Sequence, residues 1–220
     1  MSESTLHYLY DPYCGWCFGA SPMLTAAQQI DGLHVEPHSV GMLAGPRRQM
    51  MSPEWRDFVR PHEKRITALS HVEFGAPYVE HVQEDPSIVL DSGMPTAAML
   101  AAESLSGRGL EMLKRLQRAY YVDGLPIAER NVILDLAAEL GFEKDGFARA
   151  FDDAVDHTLD AHIDASNNLL SSLGARGFPA FSLQIGDRSE TLPLGRYYGK
   201  PERFAEDIRA KIAAARSDKV

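Results

Sequence analysis

The hydrophobic rhythm of the chain changes twice. Near the start, Thr5-Leu6-His7-Tyr8-Leu9-Tyr10 reads as a short strand rich in aromatic and aliphatic residues. Over residues 19–30, Met23, Leu24, Ala27 and Ile30 fall at helical spacing, and Gly32 closes that helix. Pro22 lies inside it and is expected to kink it. Residues 33–40 then alternate apolar and polar side chains, as a second strand does, before Gly41 and Gly45-Pro46 punctuate the chain. The first 45 residues thus predict a β-α-β unit.

From about residue 52 to 174 the period is helical. Ser52-Pro53-Glu54 opens the first helix, with Ser52 as N-cap and a proline in the first turn. Residues 75–93, with Pro77 and Pro86, read as loop, and Met94-Pro95-Thr96 starts the next helix. Leu110, Leu113, Leu116 and Tyr120 mark another, and Ile133, Leu136, Ala137 and Leu140 one that ends at Gly141. Phe147, Phe151, Val155 and Leu159 mark a further helix, and Leu169, Leu170 and Leu173 the last before Gly174. Strand character returns in 181–185 and 191–194, joined through Gly186 as a hairpin, with Pro193 placing the second strand at an edge. Pro201 opens a final helix with Phe204, Ile208 and Ile212 on one face. The order is β-α-β, helices, β-β-α: an α/β fold of residues 1–45 and 175–220 with a helical domain, 46–174, inserted between its halves.

Composition narrows the function. At 220 residues, 45% hydrophobic and 24% charged, the chain has the make-up of a soluble globular protein. A net charge of −9 argues against nucleic acid or an anionic membrane as partner. No run of about 18 apolar residues predicts a membrane span. Met1-Ser2-Glu3-Ser4-Thr5 lacks the basic and apolar regions of a secretory signal, so a cytoplasmic location is expected.

The two cysteines, Cys14 and Cys17, are separated by Gly15-Trp16 at the junction of the first strand and helix. In a reducing compartment such a pair is catalytic or metal-binding rather than a structural staple. Cys14 would stand at the helix N-terminus, where free N–H groups and the helix dipole favour a thiolate. Cys17, one turn on, would reach a mixed disulfide on Cys14. This geometry makes Cys14 the more exposed thiol. A zinc half-site and inert thiols remain as alternatives. No second Cys pair or His-x3-5-His run accompanies the pair, although His7, His34 and His38 could reach the region in space. Thiol exchange is the favoured reading, and it requires no metal or organic cofactor. His7 itself reads as a satisfied core histidine, and Arg47-Arg48 and Lys64-Arg65 as solvated faces.

This layout resembles the thioredoxin-like fold, and the helical insertion before the hairpin resembles its DsbA-type branch. Gly177-Phe178-Pro179-Ala180-Phe181 stands at the entrance to the third strand, where thioredoxin-like proteins carry a cis proline beside the dithiol. The resemblance implies that Pro179 is cis and that Phe178 offers its backbone to an extended substrate. The Asp11-Pro12-Tyr13-Cys14-Gly15-Trp16-Cys17 run is similar to the cytoplasmic FrnE-like subgroup. It implies a thiol–disulfide oxidoreductase of the protein disulfide reductase or isomerase type, with protein or peptide disulfides as substrates. Glutathione or the thioredoxin system is the candidate partner that resets the pair. Trp16 is expected either to contact substrate or to pack on the helical block.

The sequence also departs from the family pattern. The dipeptide is neither the Pro-His of DsbA nor the Gly-Pro of thioredoxin, so Gly15 and the nearby Asp11 become candidate tuners of the redox pair. No cation lies between the cysteines, and Asp11 would oppose a thiolate if close. The acid found six residues before the first cysteine in DsbA corresponds to Tyr8. A less stabilised thiolate means a less oxidising pair, so reduction or isomerisation is expected to exceed oxidation. Kappa-class glutathione transferases and hydroxychromene-carboxylate isomerases share the inserted layout but typically use a serine without a dithiol. A non-catalytic chaperone-like binding module is the remaining alternative.

Overall fold

The computed structural model describes residues 4–217; the first three residues, on which the reading of the N-terminus partly rests, and the last three lie outside the described residues. Strand β1 (Ser4–Tyr10) is flanked by β2 (Leu33–Ser39) and β5 (Ala180–Ile185), and β6 (Arg188–Thr191) completes a sheet of order β2-β1-β5-β6. β1 runs parallel to β2, with Leu6 opposite Val35, and antiparallel to β5, with Tyr8 opposite Phe181. A parallel neighbour requires a crossover. Here it is made by α1 (Gly15–Gly19) and α2 (Ser21–Ala27).

The period of two along β1 sorts its side chains to opposite faces. Leu6, Tyr8 and Tyr10 enter one core, where Tyr8 stacks on Phe181 with ring centroids 4.8 Å apart. Met23 and Leu24 of α2, and Phe204 and Ile208 of the last helix, α10 (Pro201–Ser217), close that core. His7 belongs to the other face.

Between the sheet halves come α3 (Pro53–Ser70), α4 (Ala76–Glu80), α5 (Gly93–Ser106), α6 (Gly109–Tyr121), α7 (Arg130–Glu139), α8 (Lys144–Asp153) and α9 (Leu159–Ser172). Ser52 caps α3 by accepting from Trp55 N at 3.2 Å. These helices enclose a second core around Ala97, Ala101, Leu116, Tyr120, Phe147 and Phe151. The two cores interlock. Tyr13 and Phe18 of the crossover belong to the helical core, and Met99, Leu110 and Leu113 of the insertion belong to the sheet core.

Several elements differ from the sequence reading. The helix break falls at Ala20, which puts Pro22 in the first turn of α2, where its missing N–H removes no hydrogen bond. Residues 75–93 contain α4, the 3-10 turn Val82–Glu84 and the strand β4 (Val89–Leu90), which pairs antiparallel with β3 (Gln49–Met50). The stretch is too short in each piece to show a period. The second hairpin strand is Arg188–Thr191, ahead of Pro193, so the proline lies outside the ladder. Gly186 at φ +59° supplies the turn. The π-helical turn Ala154–Thr158 joins α8 to α9, so the two expected helices form one nearly continuous run.

Candidate active site

Asp11-Pro12-Tyr13-Cys14 turns the chain from β1 into α1. Cys14 N donates to Asp11 O at 3.1 Å and Tyr13 N to Asp11 Oδ1 at 2.9 Å. Asp in first place and Pro in second favour this turn. Cys14 is left extended (φ −88°, ψ 108°) as the N-cap of α1, with Sγ accepting from Cys17 N at 3.3 Å. Cys14 keeps 8% of its surface exposed and Cys17 none. Both are free thiols. Burial pushes the Cys17 thiol well up, and neighbouring Cys14 and the Asp11 charge push the same way.

Phe178 lines the cleft beside Cys14, followed in the chain by Pro179. The peptide bond between them is cis. The Phe178 carbonyl stands 4.0 Å from Cys14 Sγ, within reach of its S–H.

Tyr8 occupies the position of the acid in DsbA and is fully buried, its OH donating to Cys17 O at 3.2 Å. A buried carboxyl is present all the same. Asp11 is fully buried and accepts from Met42 N (2.6 Å) and Ser92 Oγ (2.9 Å) in addition to Tyr13 N. Desolvation outweighs these donors and raises the carboxyl to about 6. The Asp11 charge is a minor contributor to the rise of the Cys17 thiol.

Gly15 and Gly19 let α3 approach. A Cβ on Gly19 would meet Ile66 Cγ2 at 2.6 Å, and one on Gly15 would meet Ile66 Cδ1 at 3.1 Å. Trp16 packs against the helical block. Its ring packs near His62 and Tyr198, with the Arg65 guanidinium 5.8 Å from the ring centroid, and it also lines the cleft beside Cys14. Tyr198 OH donates to the Trp16 carbonyl at 3.0 Å and so fixes the loop between the cysteines.

The cleft has a volume of about 210 Å³. Cys14, Trp16 and Phe178 form one side, and Trp55, Phe58 and Ile66 of α3 form the other. Sequence reasoning missed this α3 wall. The signal was available in Trp55, Phe58/Val59, His62 and Ile66, which recur at helical spacing, with Phe58 left 60% exposed. Ser92, which bridges Asp11 and Leu43 N, carried no signal of its own.

His7, His34 and His38 do not join the dithiol. Among the described residues, the group close enough to share a metal ion is His7, Glu36 and His38, without either cysteine. His7 is the satisfied histidine expected, hydrogen-bonded to His38 Nε2 at 3.0 Å and to Gln184 Oε1 at 2.9 Å.

Residues 5–195 match the family of DSBA-like thioredoxin domains. No curated protein matches the sequence. Among solved structures, the chain is similar to the cytosolic disulfide reductase DsbM from Pseudomonas aeruginosa, at 47% identity and a TM-score of 0.89 over 96% of this chain and 99% of that one. A structure of the same protein with GSH matches at 46% identity and a TM-score of 0.88, covering 95% and 99%. A protein from Nitrosomonas europaea, described as a candidate protein disulfide isomerase, shares the fold at 21% identity and a TM-score of 0.76, covering 95% and 98%. Among the described residues no helix is long and apolar enough to cross a membrane.

Proposed function

The chain belongs to the DsbA-like thioredoxin family and is a thiol–disulfide oxidoreductase, and on that premise we propose that it reduces disulfides seated in the cleft beside Cys14, with glutathione resetting the pair in the cytoplasm. The observation that carries this reading is the asymmetry of the two sulfurs. Cys14 opens onto the apolar cleft, and Cys17 lies sealed behind it as a protonated thiol.

The Cys14 thiolate attacks one sulfur of the substrate disulfide, forming a mixed disulfide and expelling the other sulfur as a thiolate. Cys17 then loses its proton and attacks Cys14 Sγ. The Cys14–Cys17 disulfide forms, and the second substrate sulfur leaves and takes up a proton. Two electrons have passed from the pair to the substrate. Two glutathione thiols return them, becoming glutathione disulfide. The substrate backbone would meet the Phe178 carbonyl, and apolar side chains flanking the disulfide would meet Trp55 and Phe58.

The reducing direction is supported by what surrounds the dithiol. Gly15-Trp16 brings no cation between the cysteines, and the Asp11 carboxyl sits behind them. The similarity to a cytosolic disulfide reductase, one of whose structures includes GSH, supports both compartment and partner.

The test is a trapping experiment. Cys17→Ser protein incubated with glutathione disulfide should accumulate one glutathione on Cys14, read by intact mass, and should lose insulin-reducing activity. Cys14→Ser should capture no glutathione and should also lose insulin-reducing activity. Glutathione captured on Cys17 of the Cys14→Ser protein, or undiminished turnover in either variant, would remove the assigned roles. A pair with a potential near −120 mV, the strong-oxidant end of the scale, would reverse the direction.

A further inference from the structure

On the sheet face opposite the aromatic core, three side chains from β1 and β2 converge. His7 Nδ1 lies 3.0 Å from His38 Nε2 and 3.3 Å from Glu36 Oε2, and His38 Nε2 lies 3.8 Å from Glu36 Oε1. Neighbouring ligands on a zinc ion with bonds of about 2.0–2.2 Å stand roughly 3 to 3.5 Å apart. The two histidine nitrogens and the nearer carboxylate contact, 3.0 Å and 3.3 Å, already have that spacing, and the contact of His38 with the other Glu36 oxygen, 3.8 Å, is slightly wider. We propose that His7, Glu36 and His38 form a binding site for one divalent transition-metal ion of the zinc class, separate from the dithiol. The sequence reading required no metal for thiol exchange, and this site lies apart from that chemistry.

The parallel register creates the site. His7 pairs with Glu36 across β1 and β2, and His38, two residues on, projects to the same face. A fourth residue orients the first. Gln184 Nε2 donates to Gly186 O at 3.2 Å, which turns Oε1 toward His7 Nε2, 2.9 Å away. An oxygen there can only accept, so His7 Nε2 carries the hydrogen and Nδ1 presents its lone pair to the cluster. Histidine ligands of metals are held in this way, by a hydrogen bond from the ring nitrogen that does not bind. His162 backs the site without joining it. Its ring lies parallel to that of His38 at 6.4 Å, and its Nε2 is occupied by Ser39 N–H at 3.1 Å.

Two imidazole nitrogens and one carboxylate suit zinc, cobalt, nickel or ferrous iron rather than the hard ions calcium and magnesium. The histidine side chains are 14% exposed and Glu36 is 46% exposed. An ion would therefore enter from solvent and keep open positions for water. Bound there, it would tie β1 to its parallel neighbour on the strand that leads to Cys14. The competing occupant of the same space is a proton shared between the two imidazoles.

Co(II) and Zn(II) are the probes, used on the full chain with Cys14→Ser/Cys17→Ser so that thiolates cannot contribute. Co(II) should give one equivalent of weak visible d–d absorption without a thiolate charge-transfer band, and Zn(II) should displace it. Zn(II) should raise the thermal midpoint. Glu36→Gln, half-exposed and isosteric, should weaken Zn(II) binding at least tenfold, as should His38→Ala. Gln184→Leu should weaken it about 10–100-fold through the orientation of His7. Circular dichroism checks that each variant folds; Glu36→Gln carries the test if His38→Ala does not. Absence of binding to the thiol-free protein would overturn the site. So would an affinity that Glu36→Gln leaves unchanged, or His7 and His38 ring resonances that do not respond to Co(II), which would assign the space to a proton.

Discussion

At the residue scale, Asp11 decides more than its position in the sequence suggests. It is the buried acid of the site, held by three donors yet raised to about 6 from an ordinary 3.8 because it has no contact with water. A carboxyl raised on folding stabilises the fold most when protonated. Its contribution is fully present below about pH 4 and is lost as pH rises through 6. A shift of about two units corresponds to about 3 kcal/mol between those limits. Denaturant unfolding of wild type at pH 4 and at pH 7 should carry this decline, and Asp11→Asn should remove it. Asparagine alters the hydrogen bonds at every pH, so the diagnostic quantity is the pH slope rather than the absolute stability. Equal slopes in the two proteins would show that Asp11 is not desolvated in solution.

At the element scale, the packing of α3 on α1 rests on two glycines. Alanine is favoured over glycine by about 1 kcal/mol inside a helix, and by less at the last residue of a short one such as α1. At Gly19 the gain should be outweighed, because the new Cβ would stand 2.6 Å from Ile66 Cγ2. Overpacking of this kind costs about 1–3 kcal/mol. Gly19→Ala should therefore destabilise the protein, and the same change made on an Ile66→Ala background should cost less or become favourable. Additivity in that double-mutant cycle would show that the two helices do not meet through this contact. Because Ile66 also lines the cleft, Gly19→Ala should lower disulfide-reducing activity as the α3 wall moves.

At the scale of the whole molecule, the two cores exchange residues. Leu113 sits in the inserted helices but is fully buried in the sheet core with Tyr8 and Phe204. Leu113→Ala should cost about 2–5 kcal/mol. Hydrogen exchange should show protection falling in β1 and β5 as well as in α6. Loss confined to the helices would mean that the halves unfold separately despite their shared residues. Single-wavelength tryptophan fluorescence and far-ultraviolet dichroism should likewise report one transition in the wild type.

The sequence by itself determined what depends on neighbours along the chain. Aromatic and aliphatic richness placed β1, periods of two and 3.6 placed β2 and the long helices, and the Cys14-x-x-Cys17 spacing at a strand–helix junction placed the dithiol. The Asp-Pro turn and the Ser52 cap are local in the same sense. What lies far apart in sequence but touches in space was decided by tertiary structure alone. Asp11 is buried among partners distant in sequence, Ser92 and Met42 being 81 and 31 residues away, and desolvation there raises its carboxyl against their hydrogen bonds. The α3 wall faces Cys14 only because Gly15 and Gly19 admit Ile66. His7, Glu36 and His38 meet because β1 and β2 pair in parallel, and Gln184 orients His7 from the opposite neighbour. Sheet order and register bring such groups together, and a one-residue slip would send each of those side chains to the other face.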